Sequence, residues 1–244
     1  VDEEFHDLGS IPYKFRLDPE FAELAVDKCK ERGLHARTVS YYGFPIDIGS
    51  ILALKLLNPD NRLPAIIVSS NMYANRAETI VLGKSVRDAI DVSGKKAVVV
   101  VVSALSNRLH TVEIKPEDDK IHSLKDHEWN LKFLEYLDKG RLEDVSQLSR
   151  QFHEEARVPK VVSFKPFWIM ASMMGQTNLY EGNILAYEPV WGTGSAVVTM
   201  TPAEDTAGDL EYDEDDPEFY KGDREVLDFY EQPEMGPLEE EDGD

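Results

Sequence analysis

Apolar and polar residues follow one another along this chain in blocks that switch between helical and strand-like spacing. The first block opens on Asp18-Pro19-Glu20, an acidic N-cap with proline at the first helical position. It predicts a helix over residues 18–32 that stops at Gly33. Residues 36–42 read as a strand, followed by a loop over 43–50 in which Ser50 can cap a short apolar helix ending at Leu57. Asn58-Pro59-Asp60-Asn61 is turn chemistry. Residues 63–69 and 95–103 read as second and third strands, the latter holding the longest apolar run of the chain. Helical spacing over 77–91, ended at Gly94, separates them. Strands that are apolar on both faces and alternate with helices predict an α/β fold, with a mostly parallel sheet covered by helices in a single domain.

Beyond Pro116 the spacing becomes helical. Residues 119–139 predict a long amphipathic helix broken at Gly140, residues 142–157 a second, and residues 162–174 an apolar third. Trp129, Phe133, Phe167 and Trp168 fall at core spacing and read as packing residues. Residues 183–187 and 196–200 predict two closing strands around Trp191-Gly192-Thr193-Gly194. That tetrapeptide lacks the third glycine and following helix of a phosphate loop and reads as a tight turn.

Charge divides the chain unevenly. The net charge is −21 over 244 residues, yet residues 203–244 carry 19 acidic and 2 basic residues, a balance of −17. Residues 1–202 are therefore expected to form the folded domain, and residues 203–244 an acidic tail that is disordered alone. Two apolar islands in it, Phe219-Tyr220 and Val226-Leu227-Asp228-Phe229-Tyr230, are either incidental to a disordered tail or a segment that docks on the body or on a partner. No basic field argues for nucleic acid, and no apolar run is long enough for a transmembrane helix. The single Cys29 excludes an internal disulfide framework and a cysteine-based zinc site, which suits a cytoplasmic setting. Between Lys28 and Lys30 it is either an inert helix residue or a thiol activated by neighbouring cations. The chain begins at Val1 without an initiator methionine, and the expectation is that a segment upstream has been removed or lost.

In parallel α/β sheets, ligands sit beyond the carboxyl ends of the strands. Two loops qualify: one with Asp47, Gly49 and Ser50, and one with Ser103, Ser106, Asn107, Arg108 and His110. His122 and His127, five residues apart, fall about 140° apart around a helix and read as solvated residues rather than a zinc pair. The chain contains no Gly-x-Ser-x-Gly elbow and no Cys–His pair.

The same loops carry a resemblance. Pro45-Ile46-Asp47-Ile48-Gly49-Ser50, then Leu56-Leu57-Asn58-Pro59, Pro64-Ala65-Ile66-Ile67-Val68-Ser69 and Val101-Val102-Ser103-Ala104-Leu105-Ser106-Asn107-Arg108-Leu109, resemble the class III extradiol ring-cleaving dioxygenases. This is the superfamily of protocatechuate 4,5-dioxygenase. His35-Ala36-Arg37, Glu155-Ala156-Arg157-Val158 and the run Gly192 to Val198 fit the alpha subunits of 2-aminophenol 1,6-dioxygenases especially well. The likeness spans about residues 1–200 and excludes the tail.

The resemblance implies ferrous chemistry with two His and one carboxylate as ligands, leaving positions open for substrate and oxygen. It places both His ligands upstream of Val1. It also implies Asp-His-Gly at the first loop, where this chain has Asp47-Ile48-Gly49, and Ser-His at the second, where it has Ser106-Asn107. Isoleucine cannot titrate and asparagine carries no proton at neutral pH. His110 is either a substitute acid–base or a cap residue. Glu188 is a weak candidate for the metal carboxylate, against a strand-end Glu beside Pro189.

The leading expectation is thus a non-catalytic dioxygenase-fold subunit without its own cofactor, pairing with a catalytic homologue or with itself. The alternatives are an active Fe(II) extradiol dioxygenase of catechol or 2-aminophenol type with its ligands upstream, and an assembly or binding protein that works through its acidic tail.

Overall fold

The structure, a computed structural model, describes residues 13–39, 46–69, 73–156, 165–174 and 180–203. Among them are helices α1 (Pro19–Glu31), α2 (Ile48–Leu57), α3 (Arg76–Ser93), α4 (Leu124–Asp138), α5 (Leu142–Glu155) and α6 (Lys165–Met173). Two strands close the described chain, β1 (Tyr180–Val190) and β2 (Thr193–Pro202).

Local chemistry sets the helix starts. The Asp18 side chain accepts from Phe21 N at 3.1 Å, as the sequence predicts. α3 opens on a reciprocal cap: Asn75 Oδ1 accepts from Glu78 N, and Glu78 Oε2 accepts from Asn75 N, both at 2.8 Å. Two starts differ from expectation. α2 begins at Ile48 because Asp47, not Ser50, is its cap. α4 begins only at Leu124, where the Ser123 hydroxyl takes Asp126 N at 3.1 Å; Pro116–Asp118 instead form a short 3₁₀ turn.

Two cores share α6. Ala25 of α1, Val86 and Ala89 of α3, and Ile169 and Met173 of α6 form one. The other lies between α4, α5, α6 and β1, with Phe133, Leu134, Leu148, Phe152 and Tyr180 buried in it. The Phe133 and Phe152 rings stack 4.8 Å apart, Phe167 meets Phe133 edge-on at 5.1 Å, and Trp168 donates to Ser149 Oγ at 2.7 Å. The core-spacing aromatics are thus packing residues. Cys29 is buried in α1, and burial pushes its thiol pKa up, which removes the activated-thiol reading.

β1 and β2 pair antiparallel, with Tyr180 opposite Pro202 and Val190 opposite Thr193. The connection is the two residues Trp191 (φ 53°) and Gly192 (φ 90°), both left-handed as a tight hairpin turn requires. The strands run longer than the sequence predicts, to the turn itself.

The expected mostly parallel sheet is the main departure. Residues 36–39, 63–69 and 95–103 enter no ladder among the described residues, and the rest of the first expected strand, 40–42, lies outside them. Parallel pairing is limited to one bridge, Leu17 with Ala65, through Ala65 N to Arg16 O at 2.8 Å and Asp18 N to Ala65 O at 3.2 Å. The reason is visible in residues 98–102. Val99 and Val101 pack on the cores, but Val98, Val100 and Val102 are exposed, and only Val102 lies against another described element, the start of α2 at Gly49. A mixed α/β content is shown; helices on both faces of a sheet are not. Residues 204–244, nearly all of the expected tail, lie outside the described residues, as do residues 157 and 162–164 of two expected helices. No helix among the described residues is long and apolar enough to cross a membrane.

Candidate functional site

The first loop is held by its own helix cap. Asp47 Oδ1 accepts from Ser50 N at 2.8 Å and Oδ2 from Ser50 Oγ at 2.7 Å, so both carboxylate oxygens are engaged. Gly49 lies so close to residue 102 that a Cβ there would come 2.7 Å from Val102 Cγ1. Ile48 is half-buried between them in sequence and offers no polar atom. This places the start of α2 against the end of residues 95–103, directly before the second loop.

The second loop is pinned from behind. Ser106 is buried, and Asn130 of α4 holds it twice: Oδ1 accepts from Ser106 N at 2.9 Å, and Nδ2 donates to Ser106 Oγ at 2.7 Å. Ser106 O accepts from Gly194 N of β2 at 3.1 Å. Asn130 Nδ2 also donates to the Tyr187 hydroxyl at 3.1 Å, which lies 3.0 Å from His127 Nδ1. Hydrogen counting orients the Asn130 end of this chain. Asn130 spends both amide hydrogens on Ser106 and Tyr187, so the Tyr187 oxygen accepts one, and its bond with His127 Nδ1 runs in the direction that the histidine tautomer sets. The His127 ring stacks on Tyr187 at 5.7 Å. Beside this network the Asp126 carboxylate is fully buried with no hydrogen bond among the described residues, facing Arg108 Nε at 3.5 Å.

A separate cluster clasps the hairpin tip. The Asp119 carboxylate accepts from Trp191 N and from Gly192 N, His110 N donates to Trp191 O at 3.1 Å, and Trp191 Nε1 donates to His110 O at 3.0 Å. His122 N donates to Gly192 O at 2.9 Å. A left-handed tryptophan is a strained position, and these bonds hold it. His110 Nε2 donates to Lys120 O at 2.9 Å, and its ring stacks on His122 at 5.4 Å.

The structure therefore distributes the sequence candidates. Asp47 and Ile48 precede Gly49, which lies against Val102; Ser106 is buried in the Asn130 network; Asn107 is exposed beside it. His110 belongs to the hairpin clasp. Glu188 is exposed on β1 opposite Ser195 and joins none of these groups among the described residues. His122 and His127 lie in different clusters, and His127, read as solvated, is half-buried and hydrogen-bonded. Asn130 and Tyr187 escape sequence reading, since nothing local marks a helical Asn and a strand Tyr as partners 57 residues apart. Among the described residues, no three His, Cys, Asp or Glu side chains converge to hold a metal ion. The donors nearest the candidate loops are spoken for: Asp47 by Ser50, Asp119 by the hairpin, His110 Nε2 by Lys120 O and His127 Nδ1 by Tyr187. Among the described residues these side chains do not converge on one point, so together they do not assemble a mononuclear iron site there.

Burial pushes the Tyr187 phenol pKa up, partly offset by the hydrogen bond from Asn130, and burial raises Tyr180 likewise. A raised folded-state pKa means that the folded chain holds these protons more tightly than the unfolded one. Their contribution to stability is complete below about pH 10 and falls as pH rises through the folded values. Stability measured by urea unfolding is therefore expected to decline above about pH 10, and more shallowly in Tyr187→Phe. An identical alkaline slope in that variant would contradict this.

The protein-family model described as "Catalytic LigB subunit of aromatic ring-opening dioxygenase" matches residues 2–199. The alpha subunit of 2-aminophenol 1,6-dioxygenase from Pseudomonas sp. is 29% identical over 203 residues, covering 82% of this chain and 73% of that protein. The beta subunit of 2-aminophenol 1,6-dioxygenase, also from Pseudomonas sp., is 34% identical over 209 residues, covering 81% and 68%. With a match across four-fifths of its length and the two loop motifs inside it, the chain belongs to the LigB family of class III extradiol ring-opening dioxygenases.

Proposed function

We propose that this chain is a non-catalytic subunit of an aromatic ring-opening extradiol dioxygenase, giving scaffold and interface to a catalytic homologue. One observation carries the reading. At the two loop positions where the family resemblance implies imidazoles stand Ile48 and Asn107, and the adjacent acid, Asp47, has both oxygens committed to Ser50. Loss of general acid–base help alone costs about 10²- to 10⁴-fold in rate. The pairing is supported by the relatives, which are named as alpha and beta subunits of 2-aminophenol 1,6-dioxygenase. In this reading the iron belongs to the partner, and this chain contributes surface.

A second reading, an active Fe(II) enzyme for a catechol or 2-aminophenol with histidine ligands upstream of Val1, draws on two facts. The family description is that of a catalytic subunit, and the identity to the beta subunit is the higher of the two. One experiment separates them: anaerobic iron loading of the purified chain, metal analysis, then oxygen uptake with catechol, protocatechuate and 2-aminophenol. The expected result is substoichiometric iron and no ring opening. One iron per chain together with ring opening by the isolated chain would establish the second reading.

A further inference from the structure

One side of the domain is apolar and uncovered among the described residues. Val98, Val100 and Val102 are 88%, 44% and 43% exposed, and Ile67 is 41% exposed, while their neighbours Val99, Val101 and Val68 turn inward onto the cores. α2 adjoins this surface at its start, where Gly49 lies against Val102, and its Leu52 and Leu56 are exposed as well. The backbone of residues 95–103 joins no ladder among the described residues. An exposed apolar surface of this kind marks an interaction site. Cations flank it. Lys96 at the start of the segment and Lys55 on α2 are exposed and make no ion pair among the described residues, whereas Lys95 is already paired with Asp18.

The matching ligand is an apolar strip with acidic flanks, and the chain carries one. Residues 223–231 read Asp223-Arg224-Glu225-Val226-Leu227-Asp228-Phe229-Tyr230-Glu231, four acids and one base around four large apolar side chains. We propose that residues 225–231 of this chain's own acidic tail dock on the Val98–Val100–Val102 surface, burying the apolar island and setting its carboxylates against Lys55 and Lys96. Reach and charge favour this occupant over another molecule. About 23 residues separate the end of β2 at Pro202 from Glu225. A coil of that length averages roughly 25–30 Å end to end, and a 200-residue domain has a radius of gyration of about 16 Å. That span is comparable with the dimensions of the domain, so the tail meets the surface within the same molecule at an effective concentration near the millimolar range, above that of a second chain in dilute solution.

The test uses the full chain at low micromolar concentration, with a zero-length carbodiimide cross-linker and hydrogen exchange read by mass spectrometry. The expected links join Lys55 or Lys96 to Glu225, Asp228 or Glu231 within the monomer. Amide exchange over residues 97–102 is expected to be about tenfold slower than in full-length Leu227→Asp/Phe229→Asp, since docking shields that backbone. Equal exchange in the two proteins would overturn the proposal. So would links found only in the dimer fraction, which would assign the surface to a second copy, or no links from either lysine to the tail. None of these outcomes depends on whether the chain binds iron.

Discussion

Replacing Gly182 with alanine is expected to destabilise the protein by roughly 3 kcal/mol or more, lowering its melting temperature by roughly 6–12 °C. A Cβ at Gly182 would lie 1.7 Å from Leu137 O, 2.7 Å from Leu137 C and 2.8 Å from Asp138 Cα. All three atoms are backbone, so no rotamer change relieves the clash; α4 and β1 must separate. That opens the core where Leu137, Leu142 and Tyr180 are buried together. The approach is mutual. A Cβ at Gly140, just past the end of α4, would meet Tyr180 O at 1.6 Å, and φ at Gly140 is +70°. Gly140→Ala combines clash with left-handed strain and is expected to match or exceed Gly182→Ala. Gly94→Ala is the control: φ is +64°, but nothing lies within 4 Å of its Cβ. It is expected to lose only about 1–2 kcal/mol. Equal melting temperatures for the Gly94 and Gly182 variants would show that α4 and β1 do not meet backbone to backbone.

That contact shows which parts of the fold the sequence reveals. Asp18-Pro19, Asn58-Pro59, Gly94 and Gly140 are local signals, each satisfied within a few residues of chain, and each is found where its chemistry predicts. Helix positions follow from them. Residues 95–103 are different. A run of valines announces a strand buried on both faces, but burial depends on neighbours far away in sequence. Among the described residues those neighbours do not form a ladder, and three of the valines stand exposed. Hydrophobicity specifies that a segment wants cover; it does not specify what covers it.

The candidate site divides the same way. Asp47 and Ser50 fall three residues apart, and the sequence places them in one loop; only which of them caps α2 differs. The absence of imidazole at Ile48 and Asn107 is legible from the residues themselves once the family resemblance is set beside them. What could not be read is the second loop's support, because Asn130 and Tyr187 come from α4 and β1 and have no motif. His110 misleads for the same reason. Three residues from Asn107 it looks like a stand-in for a missing acid–base, yet its ring is engaged by Lys120 and His122, and its backbone by Trp191, in the hairpin clasp.

Removing the Asn130 side chain is the sharpest way to ask whether the second loop is held in place for a reason. Asn130→Ala is expected to cost about 2–4 kcal/mol, because it strips the buried Ser106 amide of its acceptor and takes donors from two hydroxyls. The hydroxyls can turn to other partners; the amide cannot turn away from the loop. Amide exchange at Ser106 and Gly194 is therefore expected to rise more than exchange in the α4–α5 core, since Ser106 also bridges to Gly194. Asn130→Asp keeps an acceptor for Ser106 N but places a carboxylate at a fully buried position, so it should be no milder near neutral pH. Asn107→Ala, at the exposed neighbouring position, should stay within about 0.5 kcal/mol of the parent. Buried polar anchoring of a loop whose exposed residue lacks a proton to move is what a subunit retained for its surface would keep. If Asn107→Ala instead proved as costly as Asn130→Ala, the exposed side chain would be bearing structure, and the loop would not be the independently anchored surface described here.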